Sequence, residues 1–243
     1  MQKINAIDIK FYDEVGSTQE EAKRLIHSGR ACVGHVISTN KQTAGYGRYK
    51  RAWNGTERDI AITIILQATN TPSHKLDQLC YVAGIAVAQT ILHFAGNIDL
   101  KLKWVNDILL NGKKVGGILI ERVEHNFVLV GMGINLRQSQ FLQQYNATAL
   151  DIEGIQVEHR TFLDALMQNF FLSYNSWVEY GFLPIRNRWM QLVAGLNQHI
   201  KITLADKSVT GIFTDIDKDG NIMLLEGGEL QLISTGELFL ERD

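Results

Sequence analysis

A tight hairpin turn is predicted at Asn111-Gly112, the dipeptide that type I′ turns favour, because it separates two apolar runs. The runs are "DILL" before it and "KKVGGILIE" after it, and "FVLVGMGINL" follows through the short turn "EHN". Parallel strands need long crossover connections, whereas these strands are joined by turns of a few residues. The sequence therefore predicts an antiparallel or mixed sheet and not a doubly wound parallel one.

Four helices are predicted around this sheet. The first, "STQEEAKRLIHSG", carries Thr18 and Glu21 at the spacing of a capping box. The clearest, "SHKLDQLCYVAGIAVAQTILHFAG", repeats apolar residues at helical spacing between Ser73, a candidate N-cap, and Gly96, a candidate stop. "TFLDALMQNFFLSYNSWVEYG" is also amphipathic, and Pro184 is expected to begin a short fourth helix. The runs "ACVGHVIST", "DIAITIILQ" and "LKLKW" predict further strands.

From about residue 197 the chain changes to short alternating strands. The stretch "HIKITLADKSVTGIFTDIDKDGNIMLLEGGELQLISTGEL" contains four such strands. Their turns are predicted at Ala205-Asp206, Asp219-Gly220 and Gly227-Gly228. Short strands at regular spacing are typical of a small β-barrel. We therefore expect two domains, residues 1–195 and residues 196–243.

Composition excludes several classes of protein. With 243 residues and 45% hydrophobic content, the chain can bury a sizeable core without disulfides. Cys32 and Cys80 are therefore expected to be reduced core residues, with no metal role. The first residues lack a signal-peptide pattern, and no apolar run approaches the roughly 20 residues of a membrane span, which favours a cytoplasmic protein. A net charge of −2 argues against a dedicated DNA-binding protein.

The stretch "TNKQTAGYGRYKRAW", residues 39–53, is the strongest candidate for a binding loop. It carries no acid, and its basic residues are Lys41, Arg48, Lys50 and Arg51. Its glycines, Gly45 and Gly47, let backbone N–H groups approach an anion closely, and arginine presents a planar fork to phosphate or carboxylate. On a nearly neutral protein, such a loop suits a small anionic ligand. A solvated surface loop anchored by a buried Trp53 is an equally good interpretation.

Lysine and glycine residues in the hairpin region also have two interpretations each. In "LKLKW", Lys101 and Lys103 share one face of a strand. Lys103 is therefore either a solvent-facing lysine or a cation directed into a cleft, where it would neutralise charge during phosphoryl or acyl chemistry. Glycine weakens strands, so Gly116-Gly117 within an apolar strand marks either a bulge or the close approach of a ligand.

Two more motifs, "VGMGINL" and "GSTQE", place polar residues at the ends of predicted elements. Asn135 can bond a base edge or end a strand, and Ser17 and Thr18 can bond a polar ligand or cap a helix. The glycine spacing does not match G-x-G-x-x-G and no helix pattern follows, so we reject a dinucleotide fingerprint. The sequence has no G-x-S-x-G, H-E-x-x-H or Walker A motif. Taken singly, the motifs leave the function open.

In this order and at this spacing, the motifs resemble those of the biotin–protein ligases. That family carries an early "ST" at a helix start, then Q-x-x-G-R-G-R-x-G-R-x-W, K-W-P-N-D, K-K-x-x-G-I-L and G-x-G-I-N. Here the corresponding stretches are "GSTQE", "QTAGYGRYKRAW", "KWVND", "KKVGGIL" and "GMGIN". The resemblance covers nearly the whole chain. It implies an α+β fold, with a mixed or antiparallel sheet like that of class II aminoacyl-tRNA synthetases, and an SH3-like β-barrel after residue 196.

The resemblance also implies a reaction and its partners. Members of the family join biotin to ATP in the presence of Mg²⁺, release pyrophosphate and hold biotinyl-5′-AMP. They then pass the biotinyl group to one lysine of an acceptor, expected here to be a biotin carboxyl carrier domain. Some members also carry an N-terminal DNA-binding module. Since "GSTQEEAKRL" falls within the first 26 residues, we expect a ligase without that module and without DNA or membrane partners. Family dimers pair through the catalytic sheet, so a homodimer is one option.

Matched residue by residue, the resemblance implies three sets of site residues. The catalytic set is Lys103, Arg48 and Arg51, with Lys103 between the biotin carboxylate and the α-phosphate. The biotin set is Ser17, Thr18, Gln19, Gln42, Gly45, Tyr46, Gly47, Arg48, Lys103, Gly116 and Gly117. The nucleotide set is Arg48, Arg51, Trp53, Asn106, Lys114 and Asn135. No metal ligand is implied, because Mg²⁺ with ATP binds mostly through phosphate oxygens and water.

Two positions of the loop depart from the family pattern: its first arginine is Tyr46 here, and its third glycine is Lys50. If position 50 is left-handed, a residue with a Cβ costs roughly 1–2 kcal/mol there. The departures therefore predict a loop that retains the adenylate less tightly.

Two rival interpretations stay open. One is a lipoate or octanoate ligase of related fold, against which the basic loop and the C-terminal barrel argue. The other is a biotin sensor that no longer catalyses, against which the retained Lys103, Arg48 and Arg51 argue.

Overall fold

A computed structural model describes residues 1, 3–4, 8–69, 71–142 and 145–240. The described residues form two sheets and four α-helices. The first part of the chain contains β1 (Asp8–Val15), α1 (Thr18–His27), β2 (His35–Gln42), β3 (Ile60–Gln67), α2 (Ser73–Ala95), β4 (Leu100–Lys103), β5 (Asp107–Leu110), β6 (Lys113–Val123), β7 (Phe127–Ile134), α3 (His159–Tyr180) and α4 (Leu183–Leu192). The last part contains β8 (His199–Thr203), β9 (Ser208–Ile216), β10 (Ile222–Glu226), β11 (Glu229–Ile233) and β12 (Glu237–Leu240).

The large sheet is mixed, as the hairpin signals predicted. Its strand order is β1-β2-β3-β7-β6-β5-β4. Strands β1 and β2 pair in parallel, and the other neighbours pair antiparallel. Asn111 and Gly112 have φ angles of 49° and 75°, both positive as a type I′ turn requires. Strand β1 is absent from the sequence-based prediction because, as a half-exposed edge strand, it has no continuous apolar run.

Helices cover both faces of the large sheet. On one face, α1 packs Leu25 and Ile26 against Ile37 of β2. The preceding residue, Val36, faces the opposite layer, where α2 lies against the sheet and α3 packs on α2. Helix α2 is long and apolar enough to cross a membrane by length and composition, but 72% of its apolar window is buried. That burial is the environment of a core helix.

The small sheet is antiparallel, with strand order β11-β10-β9-β8-β12. The sequence predicted four strands here, and the structure has a fifth, β12, which pairs with β8. Alternate residues of these strands, including Ile200, Ile202, Phe213 and Leu238, are fully buried. The sheet is consistent with the predicted SH3-like barrel. The domain boundary at residue 196 stays a prediction.

Side chains of the first part hold the small sheet in place. The Tyr81 hydroxyl donates to the Gly220 carbonyl at 2.6 Å, and Arg186 Nε donates to the Ile216 carbonyl at 2.5 Å. The small sheet is therefore docked on α2 and α4.

Three local predictions need correction. Ser17, not Thr18, occupies the N-cap of α1, and no side chain among the described residues caps this helix end, so the predicted capping box is wrong. Ser73 is already the first helical residue of α2, with Pro72 before it. Cys80 is buried as predicted, but Cys32 is exposed, since it lies in the loop before β2 and not in the core.

Candidate active site

A cavity of about 340 Å³ gathers almost all of the predicted site residues. Its walls come from the start of α1, the end of β2, the basic loop, strands β4 to β7 and the small sheet. The predicted residues that line it are Ser17, Thr18, Gln19, Gln42, Tyr46, Gly47, Arg48, Arg51, Trp53, Lys103, Asn106, Lys114, Gly117 and Asn135. Segments far apart in the sequence therefore converge on one place.

Gly45 and Gly116 do not line the cavity, and close packing against neighbouring atoms explains why both positions are glycine. A Cβ on Gly45 would lie 2.6 Å from Gln42 Nε2 and 2.8 Å from the Trp53 carbonyl oxygen. A Cβ on Gly116 would lie 3.0 Å from the carbonyl oxygen of Gly133 on the neighbouring strand. These glycines permit the close approach of chain segments, and their predicted contacts with biotin stay predictions.

A fixed polar group forms one end of the cavity, where α1 begins and β2 ends. Gln42 Oε1 accepts hydrogen bonds from the Thr18 backbone N–H at 2.8 Å and from the Thr18 hydroxyl at 3.2 Å. The Thr63 hydroxyl donates to the Thr18 hydroxyl at 2.8 Å. Ser17 and Gln19 are buried beside them, and Gln19 Oε1 has no hydrogen-bond partner among the described residues. This end can bind the polar head of a small ligand.

The basic loop folds back on itself over the cavity. The Trp53 N–H donates to the Gly45 carbonyl and the Gly47 N–H to the Arg51 carbonyl, each at 2.8 Å. A 3₁₀ turn at the tip begins at Arg48. Within it Tyr49 and Lys50 both have φ of 56°, the left-handed region that favours glycine. Position 50 is therefore left-handed, the conformation in which a residue with a Cβ, such as Lys50, is strained.

The Trp53 ring packs against two glycines, Gly117 and Gly133, which form a glycine floor. This contact explains why "GMG" has a glycine at position 133. Gly133 of β7 faces the indole so closely that a Cβ there would be 2.5 Å from Trp53 Cε2. Its cross-strand partner, Gly117 of β6, would place a Cβ 3.4 Å from Trp53 Cζ3. Gly131 leaves room for Gln19 in the same way, since a Cβ added there would be 3.2 Å from Gln19 Cδ. The glycines therefore leave room for side chains above the sheet.

A carboxylate between two lysines lies on the β4–β6 side of the cavity. Asp107 stands opposite Lys103 in the β4–β5 pairing. Its Oδ2 is 3.6 Å from Lys103 Nζ, and its Oδ1 is 2.5 Å from Lys114 Nζ. Lys103 is half-buried and lines the cavity, whereas Lys101 on the same face is exposed. The predicted role of Lys103 as a cation that acts on a substrate stays a prediction. Sequence reasoning missed Asp107 as a site residue.

The small sheet supplies another wall and holds both arginines of the loop. Arg51 donates to both carboxylate oxygens of Glu237, at 2.7 and 2.6 Å. Arg48 Nη1 donates to the Gly236 carbonyl at 3.1 Å and to Asn106 Oδ1 at 3.3 Å. The hydrogen bonds from Arg51 hold the pKa of the Glu237 carboxyl below its usual range, and Lys103 and Arg48 add attraction in the same direction.

The two predicted asparagines make structural bonds. Asn106 Nδ2 donates to the Ile118 carbonyl at 3.1 Å, and Asn135 Nδ2 donates to the Thr148 carbonyl at 2.9 Å. Both also line the cavity. Their predicted contacts with the nucleotide stay predictions.

Sequence reasoning also missed lining residues outside the recognised motifs. Glu237 and Leu238 belong to β12, the strand that was not predicted, and a loop after β7 adds apolar residues. The loop residues are Phe141, Leu142, Tyr145 and Ala147. No local pattern in the sequence marks these positions.

Comparisons with known proteins agree with the fold. Residues 13–137 match the Biotin/lipoate A/B protein ligase family, and residues 195–240 match the Biotin protein ligase C terminal domain. The chain is 32% identical over 236 residues to the biotin--[acetyl-CoA-carboxylase] ligase of Paracoccus denitrificans, which covers 92% of this chain and 96% of that protein. It is 31% identical over 228 residues to the bifunctional ligase/repressor BirA of Bacillus subtilis, over 90% of this chain and 69% of that protein.

A solved structure gives the same result. The biotin protein ligase from Aquifex aeolicus in complex with biotin and ATP matches this fold with a TM-score of 0.84 and 25% sequence identity. The match covers 97% of this chain and 99% of that one. The two family matches fall on the large sheet and on the small sheet, respectively. The chain belongs to the biotin/lipoate A/B protein ligase family.

Proposed function

We propose that the chain is a biotin–protein ligase, which forms biotinyl-5′-AMP from biotin and ATP and transfers the biotinyl group to a lysine of an acceptor protein. The observation that carries the proposal is the convergence of Lys103, Arg48 and Arg51 on a single cavity whose other end holds Thr18 and Gln42. The relative from Aquifex aeolicus, which was solved with biotin and ATP, supports the choice of substrates. The match of residues 195–240 favours the biotin branch of the family over the lipoate branch.

The charge of the cavity suits the first half-reaction. The biotin carboxylate attacks the α-phosphorus of ATP, a new P–O bond forms, and the bond to the β-phosphate breaks as pyrophosphate leaves. Two anions must approach each other, so positive charge and exclusion of water are both required. Lys103, Arg48 and Arg51 supply the charge, and the loop that carries the two arginines covers the cavity.

In the second half-reaction the neutral amine of the acceptor lysine attacks the biotinyl carbonyl carbon. AMP leaves, and the new amide nitrogen loses a proton.

The cations of the site must exchange their partners before either half-reaction. In this structure Arg51 is bonded to Glu237, Arg48 is bonded to the Gly236 carbonyl, and Lys103 lies next to Asp107. Phosphate and carboxylate oxygens take the places of these protein oxygens when the substrates bind.

Mg²⁺ belongs to the proposal as a companion of ATP. Among the described residues, no group of three or more His, Cys, Asp or Glu side chains could hold a metal ion. The carboxylates among the described lining residues, Asp107 and Glu237, are both paired with cations. This donor set fits an ion held by phosphate oxygens and water, and Mg²⁺ bound in that way neutralises phosphate charge.

The proposed acceptor is a biotin carboxyl carrier domain, which the name of the Paracoccus relative supports. We also propose a cytoplasmic location, no DNA or membrane partner, and a division into domains at residue 196, close to where the C-terminal family match begins. A homodimer could form through β1, a half-exposed edge strand.

Biotin-dependent exchange of pyrophosphate into ATP, run beside lipoate and octanoate, tests the proposal. We expect exchange with biotin alone, and a loss of about 10²- to 10³-fold in Lys103→Ala, the effect of removing one transition-state donor. Lys101→Ala is the matched control, because Lys101 lies on the same strand and face but outside the cavity. Exchange with lipoate would move the chain to the sister branch. Tight biotin binding without exchange would identify a sensor.

A further inference from the structure

The two loop residues that depart from the family pattern, Tyr46 and Lys50, contact each other. The Lys50 ammonium lies over the Tyr46 ring, with Nζ 3.6 Å from the ring centroid. Tyr46 pairs across the loop with Ala52, and Lys50 reaches the ring from its left-handed backbone conformation. A cation at this distance from an aromatic face is attracted to it. The residues at positions 46 and 50 therefore act as a pair.

The Tyr46 hydroxyl fastens this pair to the body of the protein. It lies 2.6 Å from Glu20 Oε1 and 2.9 Å from Glu121 Oε2, and it accepts a hydrogen bond from Lys23 Nζ at 2.9 Å. Glu20 and Lys23 belong to α1, and Glu121 belongs to β6. Burial and the two carboxylates raise the pKa of the Tyr46 hydroxyl, so it stays protonated and can donate.

Charge in this cluster is balanced. Lys23 Nζ lies 3.0 Å from Glu20 and 3.2 Å from Glu121, and Lys50 Nζ lies 3.9 Å from each of them. Two carboxylates thus face two ammonium groups around one neutral hydroxyl. An arginine at position 46 and a glycine at position 50, the family pattern, could not make the same set of contacts, because the ring and the Lys50 ammonium would both be absent.

The cluster also reaches the wall of the cavity. Glu121 Oε2 accepts a hydrogen bond from Gln19 Nε2 at 2.9 Å, and Gln19 lines the cavity. On the other side of Tyr46, the same loop carries Arg48 into the cavity. The fastening point is therefore connected both to a group predicted to bind biotin and to a cation predicted to bind phosphate.

We propose that Tyr46 and Lys50 are matched positioning residues that fasten the basic loop to α1 and β6 before any substrate binds. This inference rests on the proposed function and assigns a role to the two loop positions that depart from the family pattern. A loop already held in place loses less conformational freedom when substrates arrive, which improves affinity. The adenylate is then retained at least as well as in a loop with the family pattern, contrary to the weaker retention that the sequence alone predicted.

Limited trypsin cleavage of the ligand-free protein tests the fastening directly, since Arg48, Lys50 and Arg51 are cleavage sites within the loop. Tyr46→Phe keeps the ring and the Lys50 contact but removes the hydroxyl. We expect it to speed cleavage of the loop by about tenfold, the effect of one hydrogen bond to a charged group. Glu121→Gln is expected to act in the same direction, and the double variant to add little to either single change.

Glu124→Gln is the matched control. Glu124 lies on the same hairpin as Glu121, is exposed, and pairs with His27 at 3.8 Å, away from the loop. Its cleavage rate is expected to equal that of the unaltered protein. Equal rates for the unaltered protein, Tyr46→Phe and Glu124→Gln would overturn the proposal. Because no substrate is present, this result is independent of the exchange assay that tests the proposed function.

A second measurement separates positioning from a merely structural effect. Tyr46→Phe is expected to raise the Kd for biotin by about tenfold with an unchanged melting temperature, because the loop must then be ordered on binding. The double variant Tyr46→Arg with Lys50→Gly restores the family pattern. We expect it to release biotinyl-5′-AMP at the same rate or faster, and slower release would overturn the proposal.

Discussion

Replacing Gly133 with alanine would test whether the glycine floor sets the position of Trp53. The added methyl group would stand 2.5 Å from Trp53 Cε2, 2.7 Å from Cζ2 and 2.8 Å from Nε1. Carbon atoms in contact prefer about 3.5–4.0 Å, so the ring and the methyl group must separate by about 1 Å. Strand β7 is held between Ala61 of β3 and Gly117 of β6, and therefore the indole moves.

The cost should appear in catalysis more than in stability. Trp53 lies in a loop that can yield, so we expect a loss in the free energy of unfolding below the roughly 1–3 kcal/mol of an overpacked core. Arg51 lies two residues before Trp53 and moves with it. A misplacement of about 1 Å near reacting groups costs up to about 10²-fold in rate. We therefore expect kcat/KM for biotin-dependent exchange to fall by about 10- to 100-fold.

Quenching of tryptophan fluorescence by acrylamide reports the displacement. The other tryptophans, Trp104, Trp177 and Trp189, are 2%, 6% and 1% exposed, so added quenching in Gly133→Ala arises from Trp53. Gly84→Ala is the control, because its new Cβ has no described neighbour closer than 3.5 Å. If Gly133→Ala kept both the exchange rate and the quenching of the unaltered protein, the proposed contact between glycine and indole would be refuted.

Two other predictions concern carboxylates near the site. Asp59→Asn should lower the free energy of unfolding by about 2–3 kcal/mol in chemical denaturation. The buried Asp59 carboxylate accepts hydrogen bonds from the backbone N–H groups of Thr56, Leu136 and Arg137. In the asparagine variant, the side-chain amide nitrogen would be a donor that faces at least one of these donors. Unchanged stability would contradict this account. Arg51 lowers the pKa of Glu237, so this ion pair contributes its full stability above the ordinary glutamate pKa of about 4.3 and loses it as the pH falls through the lowered folded-state pKa. Glu237→Gln should therefore flatten the fall of stability with acid over that range, and an unchanged pH profile would show that the pair contributes nothing.

Turn chemistry and apolar runs made much of the fold predictable. Hairpin turns are recognisable within a few residues, so Asn111-Gly112 and the turn "EHN" together indicated the antiparallel part of the large sheet. The site was predicted by motif order, because the local signals at Arg48, Lys103 and Gly117 each fit a structural role equally well. The structure places these residues around one cavity, whereas their individual roles stay predictions.

Long-range contacts account for what the sequence did not predict. Threonine is a common helix cap, but the Thr18 hydroxyl is hydrogen-bonded to Gln42 of β2 and Thr63 of β3 instead. Strand β1 shows little apolar pattern because its side chains stay exposed or half-exposed at the edge of the sheet. Glu237 reaches Arg51 across 186 positions of the chain, and no window of the sequence contains both.

The same separation has a consequence for biogenesis. Arg48 and Arg51 find their oxygen partners 188 and 186 positions further along the chain, at the start of the last described strand. Contacts of such high sequence separation form late, because the intervening chain must be closed first. A nascent or half-folded chain that already held the large sheet would lack one wall of the cavity. The complete cavity is therefore present only after the last described strand has paired, and under the proposed function we expect formation of the reactive acyl adenylate to depend on that step.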